Sequence, residues 1–204
     1  MRAAKVFLSG VTAGICIAIG GTVFLSLENR VLGALFFTVG LFVVCTYGLN
    51  LFTGKVCYVF FRDRRYALQL VLIWLGNLAG TWLIAAAERA TRIASIGEKA
   101  AGLCRVKLDD STLSLFILAV LCNMMIYIGV EGFRSAPHEA GKYLALFFGV
   151  MVFILSGFEH CVANMYYFSI AGMWSGEALL RVLVMTLGNA VGGVLLPLLR
   201  KAIA

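Results

Sequence analysis

The feature that most constrains this chain is a series of six apolar stretches separated by short polar segments. A transmembrane helix needs about 20 consecutive, mostly apolar residues, and each stretch reaches that length. Hydrophobic residues make up 62% of the 204-residue chain and charged residues 13%, against about 45–50% and 25% in soluble domains. A water-soluble enzyme is therefore excluded, and we predict an all-α, polytopic membrane protein. The stretches lie at about 6–27, 31–61, 66–88, 111–132, 142–172 and 176–199.

The second and fifth stretches are too long for one straight crossing, since each runs to about 31 residues. Both contain glycine, asparagine and charged residues near their centres. This pattern is typical of helices that break inside the membrane and line a binding site. We therefore predict breaks near residues 48–54 and 156–164.

The chain also contains a weak internal repeat. The segment Leu-Gly-Asn-Leu-Ala-Gly at 75–80 recurs as Leu-Gly-Asn-Ala-Val-Gly at 187–192, an offset of 112. Moving the first predicted break by this offset places it at 160–166, inside the fifth stretch. Three crossings per half invert the second half, so we predict an inverted repeat with halves of about 1–100 and 101–204 in a single channel domain, 1–204. Such repeats place the substrate site at the membrane midplane between the halves.

Two ionisable residues, Glu159 and His160, lie together inside the fifth stretch. An ionisable residue within the membrane is a functional-site hypothesis by default. For His160 we predict a functional role, since imidazole exchanges protons near neutral pH. For Glu159 we favour a structural role, as a partner of backbone N–H groups or of another subunit. In the second stretch Thr53 offers a hydroxyl, and the glycines at 48 and 54 permit a tight turn.

Three asparagines also lie in apolar stretches, where their carboxamides must find hydrogen-bond partners. They are Asn77, Asn123 and Asn189. Asn77 and Asn189 each stand inside a Gly-x-x-x-Gly motif, at 76–80 and 188–192. This position is compatible with pore lining and equally with an interhelical hydrogen bond at a close helix contact.

No part of the sequence predicts a metal or cofactor site. The six cysteines form no Cys-x-x-Cys pair, and we expect them to be small buried side chains. Five lie in apolar stretches, and only Cys104 falls in the polar segment 89–110, which we predict to be a loop. The net charge of +7 comes without a stripe of basic and aromatic residues, so we predict no nucleic-acid partner.

The distribution of basic residues favours an orientation with both termini in the cytoplasm. The segments then predicted to be inside hold nine Lys and Arg residues, against seven outside. Arg2 and the cluster Arg62, Arg64 and Arg65 are among the nine. Segments rich in Lys and Arg usually stay on the cytoplasmic side of a membrane.

Four segments resemble the signatures of the formate/nitrite transporter family, in the family's order and over essentially the whole chain. This family comprises bacterial and protozoan channels for small monovalent anions, including the hydrosulfide channels. The resemblance implies a homopentamer in the bacterial inner membrane, in which each protomer is a six-helix, aquaporin-like bundle with its own pore. The segments are Leu-Phe-Thr-Gly at 51–54, Leu-Cys-Asn at 121–123, Gly-Phe-Glu-His-Cys-Val-Ala-Asn-Met at 157–165 and Gly-Asn-x-x-Gly-Gly at 188–193.

The resemblance also implies roles for individual residues. His160 resembles the central pore histidine, Thr53 its partner on the broken second helix, and Lys107 the lysine of the outer vestibule. Two apolar rings and two pore-side asparagines complete the implied pore. These are Phe37 and Phe153 in the outer ring, Leu41, Leu51 and Ile126 in the inner ring, and the asparagines Asn123 and Asn189.

The chain departs from the family pattern at two positions. Many members carry an acidic residue where this chain has Asn50, and commonly a small or polar residue where it has Lys55. Lys55 has two interpretations: an anchor whose stem reaches the inner mouth, or a second cationic station below the inner ring.

These features predict a proton-linked channel for formate, nitrite or hydrosulfide. Lys107, which we expect to be a solvent-facing charge in the outer vestibule, would attract the anion, which would take up a proton and cross the apolar rings as a neutral acid. His160 could donate that proton or stabilise the anion as imidazolium, and the sequence leaves both roles open. The alternative is an aquaporin-like channel for neutral solutes, although the paired Asn-Pro-Ala motifs of that class are absent. An enzyme is disfavoured because the chain has only two histidines and no nucleophile–base pattern.

Overall fold

The computed structural model describes residues 3–203, which form nine α-helices, a 3₁₀ turn at Val59–Phe61 and no β-strand. Each of the six apolar stretches is largely helical, as predicted. The helices are α1 (Ala3–Ser26), α2 (Arg30–Thr46), α3 (Phe52–Val56), α4 (Arg64–Arg89), α5 (Ile96–Asp109), α6 (Thr112–Ser135), α7 (Glu139–Leu155), α8 (Cys161–Ala171) and α9 (Gly176–Ile203).

Within residues 3–203, four helices are long and apolar enough to cross a bilayer singly: α1, α4, α6 and α9. The other two crossings are pairs of shorter helices, α2 with α3 and α7 with α8, each joined across a break. The predicted fold class, a six-crossing helical bundle with broken second and fifth helices, is confirmed. Six crossings return the chain to its starting side, which we call the terminal side. The opposite side, where α5 connects the two halves, is the α5 side; Arg2 lies outside the described residues.

A glycine with positive φ stands in each helix break. Gly48 has φ 65° and Gly157 has φ 72°, a left-handed conformation that side chains other than glycine rarely adopt. The breaks occupy residues 47–51 and 156–160, so each is shorter than predicted. Gly54, which we expected to help the first turn, lies inside α3 instead.

The inverted repeat has a different register from the one expected in the broken helices. Gly48 and Gly157 occupy equivalent places, at an offset of 109, whereas Asn77 and Asn189 differ by 112. The difference arises because α8 has 11 residues and α3 only 5, which adds length between the second break and α9. The first break therefore corresponds to 157–163 in the second half, and not to 160–166.

Glycines bring two pairs of helices into backbone contact, one pair in each half. A methyl group on Gly76 of α4 would lie 2.6 Å from the carbonyl oxygen of Phe7 on α1. A methyl group on Gly188 of α9 would lie 2.5 Å from the carbonyl oxygen of Phe116 on α6. These distances are too short for any real Cβ atom, so the two Gly-x-x-x-Gly motifs set the α1–α4 and α6–α9 packing.

The segment 89–110, predicted as a polar loop, instead contains the helix α5. Ile96, Ala100, Cys104 and Lys107 recur at helical spacing and are all buried, while Glu98, Lys99, Gly102, Arg105 and Val106 are exposed. Cys104, expected in a loop, is therefore a fully buried helical residue. The polar outward face of α5 lowers the hydropathy of the whole segment and hides its helical periodicity.

Candidate functional site

At the centre of the bundle, the hydroxyl of Thr53 meets the imidazole of His160. Thr53 Oγ1 lies 3.0 Å from His160 Nε2, and the two residues are 0% and 2% exposed. Thr53 is in the first turn of α3, and His160 immediately precedes α8. The two broken helices thus bring together the two residues that the sequence predicted as partners.

The second ring nitrogen of His160 fixes the tautomer of the imidazole. Nδ1 accepts a hydrogen bond of 3.1 Å from the backbone N–H of Ala163, so His160 is the N-cap of α8. An acceptor nitrogen carries no proton, and therefore the proton of neutral His160 is on Nε2, from which it is donated to Thr53 Oγ1. An imidazolium would place a second N–H against that of Ala163 and break the cap.

Aromatic side chains cover His160 on the α5 side. The ring of Phe153 stacks on the imidazole, with centroids 5.6 Å apart and an interplanar angle of 20°. Phe37 packs edge-on against Phe153 at 6.1 Å and 88°. Both phenylalanines are buried, so they surround this approach to the histidine with apolar surface.

Three aliphatic side chains lie towards the terminal side of the Thr53–His160 pair, and all are buried: Leu41, Leu51 and Ile126. Leu41 and Leu51 also line a cavity of about 600 Å³ on the terminal side, which we call the terminal-side cavity. The structure therefore brings Phe37 and Phe153 of the predicted outer ring into contact and places Leu41 and Leu51 of the predicted inner ring on one cavity.

A smaller cavity of about 80 Å³ reaches His160 from the α5 side. Lys107 and Glu159 line it and form an ion pair with Nζ and Oε1 2.8 Å apart. Asn164 donates a second hydrogen bond of 2.8 Å from Nδ2 to Glu159 Oε2. This α5-side cavity thus contains a cation, its counter-charge and an amide, all within reach of the histidine.

This ion pair differs from the expectation for both residues. Lys107 was expected as a solvent-facing charge, but it is only 9% exposed because α5 turns it inward against Glu159. Glu159 was expected to bind backbone N–H groups or another subunit, but its carboxylate is used by the side chains of Lys107 and Asn164.

Asn123 positions Thr53 through the backbone. Its Nδ2 donates to the carbonyl oxygen of Thr53 at 3.1 Å, and the side chain is fully buried. Its Oδ1 has no hydrogen-bond partner among residues 3–203. The carboxamide therefore supports the half-helix that presents the Thr53 hydroxyl.

The carboxamide of Asn189 forms three hydrogen bonds, two to the second break and one to α6. Its Oδ1 accepts from the N–H of Cys161 at 2.9 Å, and its Nδ2 donates to the carbonyl oxygens of Glu159 and Ala119 at 2.8 and 2.7 Å. These bonds satisfy both sides of the break and tie it to α6. Of the two interpretations left open by the sequence, the structure supports an interhelical hydrogen bond.

Asn77 does the same in the first half. It accepts from the N–H of Phe52 at 2.8 Å and donates to the carbonyl oxygens of Asn50 and Gly10 at 3.0 and 2.8 Å. Each half therefore holds its broken helix with one buried carboxamide.

Sequence reasoning missed three arginines that line the two cavities. Arg30 lines the α5-side cavity and donates to the carbonyl oxygen of Ile154 at the end of α7. Arg62 and Arg134 line the terminal-side cavity together with Lys55. Their positions at helix ends suggested topology alone, and only the tertiary fold shows that they face a cavity.

A family model, curated relatives and a solved structure give the same result when compared with this chain. The family model described as formate/nitrite transporter matches residues 1–202. The formate-nitrite transporter 2 of Toxoplasma gondii is 31% identical over 189 residues, which cover 83% of this chain and 40% of that protein. The formate channel FocA of Haemophilus influenzae is 28% identical over 181 residues, which cover 78% of this chain and 64% of that protein. The chain thus spans less than two thirds of the length of these relatives.

A solved structure described as a pentameric formate channel with formate bound superimposes with a TM-score of 0.79. It is 25% identical in sequence, and the superposition covers 98% of this chain and 97% of that one.

Proposed function

This chain belongs to the formate/nitrite transporter family, and from that premise we propose that it forms a proton-linked channel for small monovalent anions such as formate, nitrite and hydrosulfide. It is a multi-pass membrane protein, and its relatives are transporters and channels rather than enzymes. The observation that carries the proposal is the buried Thr53–His160 pair.

The apolar rings impose the main physical requirement on transport. Moving a bare charge to the centre of a bilayer costs at least about 2.5–3.5 kcal/mol, and a neutral molecule of the same size avoids most of this cost. Formate, nitrite and hydrosulfide are each the base of a weak acid. We propose that the anion takes up a proton before it passes the rings, so that anion and proton cross together.

The hydrogen bonds of His160 support one of its two possible roles. A neutral imidazole with its proton on Nε2 donates to Thr53 Oγ1, which leaves the Thr53 hydroxyl proton available to the anion. Delivering a proton would require an imidazolium and the loss of the Ala163 cap. We therefore propose that the His160–Thr53 pair donates a hydrogen bond to the permeating species between the rings, and that hydronium from the solvent on the α5 side protonates the anion before the outer ring, leaving water behind.

The solved relative suggests an oligomeric state, and the distribution of basic residues suggests an orientation in the membrane. The solved relative is a pentamer, and we propose a homopentamer in a bacterial plasma membrane with the terminal side facing the cytoplasm. Lys55 lines the terminal-side cavity, where its charge would stabilise an anion that has passed the inner ring. A pentamer by native mass spectrometry would support this assembly, and a monomer would contradict it.

Flux into proteoliposomes tests the function. Formate should enter and acidify the lumen, because a proton accompanies each anion, whereas glycerol should not enter. The Thr53→Val variant should lose formate flux, while Thr186→Val, which removes the hydrogen bond from Trp74 outside the pore, should keep it. Glycerol flux without formate flux would favour the aquaporin-like alternative. Competition among formate, nitrite and hydrosulfide would then identify the preferred anion.

A further inference from the structure

The terminal-side cavity is unusually basic for the mouth of a channel that carries single charges. Its volume of about 600 Å³ falls within the range of small-molecule binding sites, about 300–1,000 Å³. Lys55, Arg62 and Arg134 line it, and among the residues that the structure describes no aspartate or glutamate does. Three positive charges therefore face one concave surface with no negative charge among them.

None of these three cations forms an ion pair with another residue of the described chain. Among residues 3–203, no carboxylate lies within ion-pair distance of Lys55, Arg62 or Arg134. The carboxylate of Glu131 has other partners: it accepts a hydrogen bond of 2.7 Å from the hydroxyl of Tyr58 and pairs with Arg200 at 3.3 Å.

Within residues 3–203, an aromatic ring supports the guanidinium of Arg134, which donates no hydrogen bond. Its guanidinium carbon lies 5.2 Å from the centroid of the Tyr58 ring, so the aromatic face supports the cation at the cavity wall. A guanidinium in that position keeps its planar set of N–H donors for a ligand, and this geometry matches the oxygens of a phosphate.

The inverted repeat shows how this imbalance arises. At the offset of 109, Asn50 is equivalent to Glu159 and Lys55 to Asn164. On the α5 side, the Glu159 carboxylate neutralises Lys107 and binds Asn164. On the terminal side, Asn50 stands in place of the acid Glu159, and Lys55 stands in place of the amide Asn164. The positive charge on that side is therefore left uncompensated.

We propose that the terminal-side cavity binds a phosphate-class oxyanion with two or more negative charges, which occludes the pore instead of passing through it. Such an anion satisfies several cations at once, whereas a single charge can satisfy only one. It cannot cross the apolar rings, because each additional charge adds its own cost of leaving water. The inference rests on the proposed function only in that this cavity is the mouth of the pore. The phosphate group can belong to a soluble molecule or to a lipid headgroup.

Binding is tested with pyrophosphate on the purified protein in a neutral detergent, by isothermal titration calorimetry. We expect one site per chain, and about tenfold weaker binding in Arg62→Gln and in Arg134→Gln, because each removes a charge-assisted hydrogen bond. Arg134→Lys should bind better than Arg134→Gln, since it keeps the charge. Arg64→Gln is the matched control: it makes the same charge change two residues from Arg62 without lining the cavity. Equal weakening in Arg64→Gln, or no binding to the parent protein, overturns the proposal.

Occlusion is tested by formate flux into vesicles of neutral phosphatidylcholine, with pyrophosphate on one side only. We expect block when pyrophosphate bathes the terminal side and none from the α5 side, and less block in Arg62→Gln. Block of equal strength from both sides overturns occlusion at this cavity. Normal formate flux with no pyrophosphate binding overturns the inference and leaves the proposed function standing. Pyrophosphate binding with no formate flux, in the parent protein and in every variant, overturns the proposed function alone.

The source of the phosphate group is separated by adding anionic phospholipid. If a headgroup occupies the cavity, phosphatidic acid, whose phosphomonoester can carry two negative charges, competes with pyrophosphate and reduces formate flux in the parent protein but not in Arg134→Gln. If the natural occupant is soluble, phosphatidic acid leaves both the pyrophosphate affinity and the formate flux unchanged. Either result supports a multivalent phosphate site and identifies its occupant.

Discussion

The hydroxyl of Thr53 and the imidazole of His160, 107 residues apart in the sequence, form a 3.0 Å hydrogen bond between the two halves of the bundle. Each residue sits beside the break of its own half; a backbone contact from the opposite half holds Thr53, and one from its own half holds His160. Thr53 receives the Asn123 carboxamide at its carbonyl oxygen, and His160 accepts the N–H of Ala163. The Thr53–His160 bond and the Asn123–Thr53 bond therefore both cross between the halves, and the first of them leads to the first prediction.

Replacing His160 with asparagine should reduce formate flux about tenfold or more, because it removes the donor that supports the Thr53 hydroxyl, a loss of roughly 1.4 kcal/mol. Asparagine is a favoured N-cap, so its Oδ1 can still accept from Ala163 and α8 should remain folded. The pH profile of flux should keep its shape, since the histidine acts in its neutral form. Flux measured from pH 5 to 8 checks both statements, and a flattened profile in the variant would show that an imidazolium takes part.

Breaking the Lys107–Glu159 ion pair should be costly at any ionic strength. Lys107→Met leaves a buried carboxylate without its partner, which typically costs about 3–5 kcal/mol and also places an unpaired negative charge on the anion route. The double variant Lys107→Met, Glu159→Gln should recover much of the stability. Thermal unfolding in detergent and formate flux at low and high salt provide the measurements. If the flux of Lys107→Met is lost only at low salt, Lys107 acts as an exposed charge and the ion pair is not formed in the membrane.

Adding a methyl group at the α1–α4 or α6–α9 contact should prevent correct folding. In Gly76→Ala and Gly188→Ala, the new Cβ meets a backbone carbonyl oxygen that cannot rotate away, so the helices must separate. Gly102→Ala on α5 is the matched control, because a Cβ there has open space and alanine favours helix by about 1 kcal/mol. The yield of monodisperse protein after size-exclusion chromatography distinguishes them. Normal yield in Gly76→Ala would mean that α1 and α4 pack less closely than described.

Replacing Asn77 or Asn189, the carboxamides that hold the two breaks, with leucine should destabilise the bundle more than removing an ordinary side-chain hydrogen bond. Asn189→Leu leaves one N–H and two carbonyl groups without partners, at about 1–3 kcal/mol each. Thr186→Val, which removes one hydrogen bond between α4 and α9, should cost about 1 kcal/mol. The comparison uses the thermal midpoint in one detergent. Equal midpoints for the two variants would show that water or lipid satisfies the second break instead.

Apolar length and glycine spacing were sufficient to predict the bundle. The six stretches, the two breaks and the helix contacts at Gly76 and Gly188 all follow from hydropathy and small-residue patterns, which act locally along the chain. The family resemblance then identified Thr53 and His160 as partners, and the structure places them within hydrogen-bond distance.

Features that depend on tertiary contacts were missed or misread. Lys107 was expected as an exposed charge because its neighbours are polar, and only the packing of α5 against Glu159 shows that it is buried. The 109 offset was hidden because α8 exceeds α3 in length, so the equivalence of Lys55 with Asn164 was not visible. The clustering of Arg62 and Arg134 with Lys55 depends on three segments of the bundle meeting, and no local pattern records it.

The placement of Asn77 and Asn189 has a consequence for how the protein is made. All three hydrogen-bond partners of Asn77 lie in the first half of the chain, and all three partners of Asn189 lie in the second. Once α4 has emerged from the ribosome, the first interrupted helix already has everything needed to shield its open backbone groups from lipid. The same holds for α9 and the second interruption. Each half can therefore enter the bilayer with its interruption already closed, and the contacts of Thr53 with His160 and Asn123 form later, when the two halves dock.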